Sequence, residues 1–137
     1  MALVIANVGE IELLDKMLKD ALSVDEVYLF RLFRNNYTPL AASVVGDFTE
    51  ANFTDYAQTT LVRASWGAAT TVSNKASSTY ATIQSWTCGA SGNTVYGYYV
   101  VGATSGILLW AERFATSRVM VNGDELNLVP VFTFNSE

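Results

Sequence analysis

The sequence predicts a mainly β protein: an antiparallel β-sandwich or jelly-roll-like domain with one N-terminal α-helix. Three observations predict it. Thr94 to Phe114 is two apolar, β-rich runs around one turn, bracketed by Gly102 and Gly106. Such a pair of runs with glycines at the turn reads as a β-hairpin. From Gln58 to Gly102, short runs rich in Thr, Val, Tyr and Trp follow one another with small turns between them. Only one stretch, Gly9 to Leu22, repeats its apolar residues at helical spacing.

In chain order, Leu3 to Ile5 reads as a short strand or an arm. In Gly9 to Leu22, residues Ile11, Leu14, Met17, Leu18, Ala21 and Leu22 form one apolar stripe. Glu10, Glu12 and Asp15 come early and Lys16 and Lys19 later, which suits the helix dipole. Val27 to Phe33 is a strand of large apolar residues interrupted by Arg31, which requires an acidic partner or a wet face. Asn35 and Asn36 form the next turn. Asp47 and Glu50 have capping-box spacing and predict a short helical turn that places Phe53 and Tyr56 on one face.

Gln58 to Trp66, Ala69 to Asn74, Thr79 to Thr87 and Thr94 to Gly102 read as strands. Ser77 with Ser78, and Gly89 to Gly92, read as turns. Tyr80, Ile83 and Trp86 are core candidates. Asn122 to Asp124 is a strong turn signal. Glu125 to Phe134 is the last strand. Pro130 lacks a backbone donor, so that strand is an edge or carries a bulge.

The hairpin has an unusual pattern. By simple alternation Tyr96, Tyr98 and Val100 share one face, and Val95, Tyr99 and Val101 the other. A sheet with one wet face alternates apolar with polar. Here both faces are apolar, so both need a cover, either a second layer of the same domain or another subunit. Tyr96, Tyr98, Leu109, Trp110, Leu128 and Phe132 are the candidates for core or subunit contacts.

The length of 137 residues predicts a single domain, with 1–24 as arm and helix and 25–137 as the β-rich body. Only 15% of residues are charged, against about 25% in a typical domain. Apolar surface is therefore expected to meet a partner, and a homo-oligomer is expected. A net charge of −5 without any basic cluster argues against nucleic acid. No apolar run reaches membrane-helix length, and the N-terminus lacks the basic region of a signal peptide. Cys88 is the one cysteine and reads as a small buried hydrophobe.

The chain has no histidine, which removes His-dependent triads and the commonest metal ligand. No phosphate-binding glycine motif or calcium-loop pattern occurs. No catalytic, cofactor or metal site is expected. Asp47 with Glu50, or Glu112 with Asp124, are the carboxylate pairs with any hydrolytic potential, but a cap and a strand-end charge explain them better.

Two segments, Leu29-Phe-Arg-Leu-Phe-Arg-Asn-Asn-Tyr-Thr-Pro39 and Asp47-Phe-Thr-Glu-Ala-Asn-Phe-Thr-Asp-Tyr-Ala57, resemble a family of small structural proteins of tailed bacteriophages. Val95-Tyr-Gly-Tyr-Tyr-Val-Val101, Gly106-Ile-Leu-Leu-Trp-Ala-Glu-Arg-Phe114 and the final strand from Gly123 to Phe134 are similar to the second half of that family. The resemblance implies a virion protein without catalysis, most like a capsid cement or decoration protein. It implies the major capsid protein of the same phage as partner, with a trimer as the favoured oligomer. It places the protein in the virion, assembled in the host cytoplasm. The alternative is a tail, neck or fibre component, including a host-glycan-binding module in which Trp66, Trp86 and Tyr80 stack on a sugar.

Overall fold

A computed structural model describes residues 3–9 and 27–134. Residues 7–9 are helical. The rest of the expected Gly9–Leu22 helix lies outside the described residues.

The protein is mainly β, and every strand pair is antiparallel. The strands are β1 (Val4–Ile5), β2 (Val27–Phe33), β3 (Thr59–Val62), β4 (Thr70–Val72) and β5 (Lys75–Thr79). They continue with β6 (Gln84–Thr87), β7 (Thr94–Gly102), β8 (Leu108–Val119), β9 (Glu125–Leu128) and β10 (Val131–Thr133). A five-stranded sheet runs β1-β8-β7-β2-β3. A three-stranded sheet runs β10-β5-β4, and β6 pairs with β9.

The expected hairpin is β7 and β8, and β7 is the centre of the large sheet. Gly106 closes the turn at φ +69°, and its N–H donates to the Gly102 carbonyl at 2.9 Å. Positive φ is cheap only for glycine, which explains the residue there.

Both faces of this sheet are covered, as the missing alternation requires. Phe30, Leu32, Tyr98, Val100, Leu109 and Trp110 enter the larger core with Tyr80, Trp86, Met120 and Leu126. Phe33, Tyr99, Val101, Leu108 and Ala111 enter a smaller core with Ala6 and Phe48. The two small sheets therefore cover one face in a sandwich-like layer. The segment after β2, together with Ala6, covers the other. Both covers of the hairpin come from the chain itself.

Two irregularities decide which side chain faces which core. The β7–β8 register shifts between Val95 and Gly97, and again between Val100 and Val101. Tyr96 thereby joins the smaller core, while Val95 joins Tyr98 and Val100 in the larger one. The strict alternation read from the sequence is corrected here. A bulge rotates the residues before it onto the opposite face. At the second shift Leu109 is the extra residue, so Leu109 and Trp110 both enter the larger core. Gly97 is required at the first shift. A Cβ there would fall on the Glu112 carbonyl oxygen and lie 2.7 Å from the Phe33 ring.

Several local expectations are revised. Ser77 and Ser78 lie inside β5, and the turn is at Ser73 and Asn74, with φ of 51° and 62°. Val72 pairs with Lys75, so these two residues are the whole loop. Positive φ at both central residues is the demand of the tight hairpin turn. Thr79–Thr87 is not one strand. It breaks after Thr79 and resumes at Gln84, leaving Ile83 exposed while Tyr80 and Trp86 are buried. The last strand is divided at Pro130 into β9 and β10, which pair with β6 and β5. Asp47 ends a 3-10 turn (Val45–Asp47) instead of opening a helix. Its carboxylate accepts the Val44 N–H at 2.9 Å, and the chain runs extended from Phe48. Phe53 and Tyr56 still pack edge to face, with centroids 5.2 Å apart.

Candidate functional site

The six candidate contact residues divide evenly. Tyr98, Leu109 and Trp110 are buried core. Tyr96, Leu128 and Phe132 are half-buried and pack against it. Of the aromatics considered for sugar stacking, Trp86 and Tyr80 are buried, and the Trp86 indole donates to the Ala57 carbonyl at 2.8 Å. Only Trp66 stands at an opening.

The carboxylates are held in separate structural bonds. Glu50 accepts the Tyr56 hydroxyl at 3.0 Å and lies 3.7 Å from Nε of Arg31. Arg31 also donates to Gln58 at 2.7 Å, so both an acidic neighbour and a polar partner answer its place in an apolar strand. The Tyr56 hydroxyl accepts the Leu32 N–H at 3.1 Å. Burial, with the nearby Glu50 charge, pushes the Tyr56 phenol well above its ordinary range. On β8, Glu112 accepts the Tyr98 hydroxyl at 2.8 Å, and burial pushes that phenol up as well. Asp124 accepts the Val121 N–H and closes the turn before β9. Each of the four acids considered for catalysis thus ties strands or closes turns. Among the described residues no cluster of three or more metal-ligating side chains occurs.

One site with open space is a cleft of about 280 Å³. Tyr28, Arg63, Trp66, Ser78, Trp110 and Phe132 line it. Tyr28 and Trp110 come from the large sheet. Ser78 and Phe132 are cross-strand partners in the small one. Arg63 and Trp66 come from the 3-10 turn after β3 and the residue that follows it. The cleft therefore opens where the two layers part. Ring centroids stand 6.1 Å apart for Tyr28 and Trp110, 6.1 Å for Trp66 and Trp110, and 4.8 Å for Trp110 and Phe132.

Ser78 donates to the Gly67 carbonyl at 2.7 Å. Arg63 has no carboxylate within ion-pair reach among the described residues. The Trp66 indole nitrogen is buried and has no hydrogen-bond partner among them. An unpaired buried donor costs roughly 1–3 kcal/mol, so most are satisfied.

No family model and no curated protein matches this chain.

The sequence marked Trp110 and Phe132 as contact candidates and Trp66 as a stacking candidate. It did not mark Tyr28, Arg63 or Ser78. These six residues span positions 28 to 132, and only the pairing of β5 with β10 and the packing of the layers bring them together. Sparse charge was the one available signal for Arg63, since it is one of three charged residues between Ala51 and Gly106.

Proposed function

We propose that the protein is a non-catalytic virion component of a tailed phage that binds the outside of the assembled capsid and stabilises it. In this reading its partners are the major capsid protein and further copies of itself, with a trimer favoured, and it resides in the virion after assembly in the host cytoplasm. The observation that carries the reading is the apolar terminal edge. β10 is an edge of its sheet, and Val129, Val131 and Phe134 are exposed on or beside it. An edge strand with exposed apolar side chains pairs readily with a neighbour. The engagement of the carboxylates in structural bonds adds support. So does the resemblance, whose segments make up β2, the cover of the smaller core and the β7–β8 hairpin.

A protein that binds assembled shell better than free subunits stabilises the shell by mass action. Shells carrying the protein are expected to withstand higher temperature than bare shells. Equal heat resistance would overturn the reading. The tail or fibre alternative with a glycan site has less support, because two of its three stacking aromatics are buried.

A further inference from the structure

We infer that the cleft between the two layers is a docking pocket for a shell-protein peptide that presents a large apolar side chain next to a carboxylate. The inference rests on the capsid-binding reading and names the chemistry by which the partner is gripped. Four of the six lining side chains are aromatic. The two that are not aromatic are Arg63 and Ser78, and the Ser78 hydroxyl hydrogen is already given to Gly67. A sugar buries several hydroxyls, each needing a partner, and a wall that is mostly aromatic ring suits an apolar guest better. An apolar side chain needs no such partner. Aromatic walls with one or two placed polar groups are the common make-up of such pockets.

Charge selects the neighbour of that side chain. Arg63 stands at the aromatic cleft without an anionic partner among the described residues, in a chain of net charge −5. A guanidinium with no anionic partner among the described residues, set beside aromatic rings, matches a carboxylate in a bidentate arrangement. It disfavours a cationic guest of the kind aromatic cages otherwise take. Trp66 lines the same cleft, and its indole N–H is buried with no partner among the described residues. A peptide carbonyl can satisfy it if the ring shifts on binding.

The test uses the full chain and its tryptophan fluorescence, since Trp66 and Trp110 both line the cleft. The probes are acetyl-Phe-Glu-amide, acetyl-Phe-Gln-amide and maltotriose. The acidic peptide is expected to bind about fivefold more tightly than its neutral twin at low salt, the scale of one half-exposed ion pair. High salt is expected to erase that preference. Arg63→Gln removes it, and Arg63→Lys keeps part of it, both with unchanged thermal unfolding. Equal binding of the two peptides, binding of neither, or a response to maltotriose alone would each overturn the inference. Loading of bare shells is measured in parallel with wild type and Arg63→Gln. Wild type and variant loading equally sinks the cleft and leaves the capsid reading standing. No loading by either sinks the capsid reading itself.

Discussion

The two faces of the five-stranded sheet are held by different physics. The larger core is closed by distant pieces of chain. Phe30 stacks on Trp86 at 5.8 Å and packs on Tyr98 at 4.7 Å, so β2, β6 and β7 meet in one set of rings. The smaller core is closed mostly by the segment next to β2. Phe48 is its hub, with ring centroids 5.1 Å from Phe33, 5.3 Å from Tyr37 and 4.8 Å from Tyr99. That cover is pinned by polar bonds. Asn35 donates to the Asp47 carbonyl at 2.8 Å and accepts the Thr49 N–H at 2.8 Å. Arg113 donates to the Tyr37 carbonyl at 2.7 Å and to Asn36 at 2.6 Å, and lies over the Tyr96 ring. The lesson is one of area. A face covered by sheets has most of its covering backbone satisfied by strand pairing. A face covered by an irregular loop must satisfy that loop's backbone, and side chains do so.

The largest expected effect comes from cutting each hub. Phe30→Ala is expected to cost about 4–5 kcal/mol and Phe48→Ala about 3 kcal/mol, within the range for buried aromatic truncation. Phe30 is fully buried, whereas Phe48 keeps 7% of its surface. Urea unfolding measures both, and a larger loss at Phe48 would reverse the ranking of the two faces.

Next in size is an alkaline effect. Tyr98 and Tyr56 have phenols raised above their ordinary value by burial, so the folded state keeps protons that the unfolded chain releases. Their stabilising share is complete below about pH 10 and is lost as pH rises beyond it, by about 1.4 kcal/mol per pH unit for each group. Tyr98→Phe should remove one share of the slope between pH 10 and 11. An unchanged slope would mean that the Tyr98–Glu112 contact is open to water.

The smallest effect is Asn35→Ala, at roughly 1–2 kcal/mol for two lost bonds at the smaller core. Hydrogen exchange should rise at Thr49 and leave the Val100 amide unchanged. A rise at both would mean that the two faces open together.

Much of this architecture was legible in residue order. The C-terminal end of β2 at Phe33 and both ends of β7 at Thr94 and Gly102 match the expected bounds, because long apolar runs end at clear breakers. Pro130 and the Asn122–Asp124 turn behave as their backbone chemistry requires. The misreadings share one cause. Ser77 and Ser78 have turn-like composition, yet pairing with Thr133 and Phe132 makes them strand. Asp47 and Glu50 have the spacing of a helix cap, yet Phe48 is drawn into the smaller core and the chain stays extended. The cleft was half legible, since its aromatics stood out while Arg63 and Tyr28 did not.

By itself the sequence determined an antiparallel β protein with a central hairpin apolar on both sides, because period, turn residues and missing polar alternation are local properties. Only the tertiary structure decided which side chain faces which core, what covers each face, and which residues line the cleft. A bulge changes facing without changing composition, and a contact between residues a hundred positions apart is set by how layers pack.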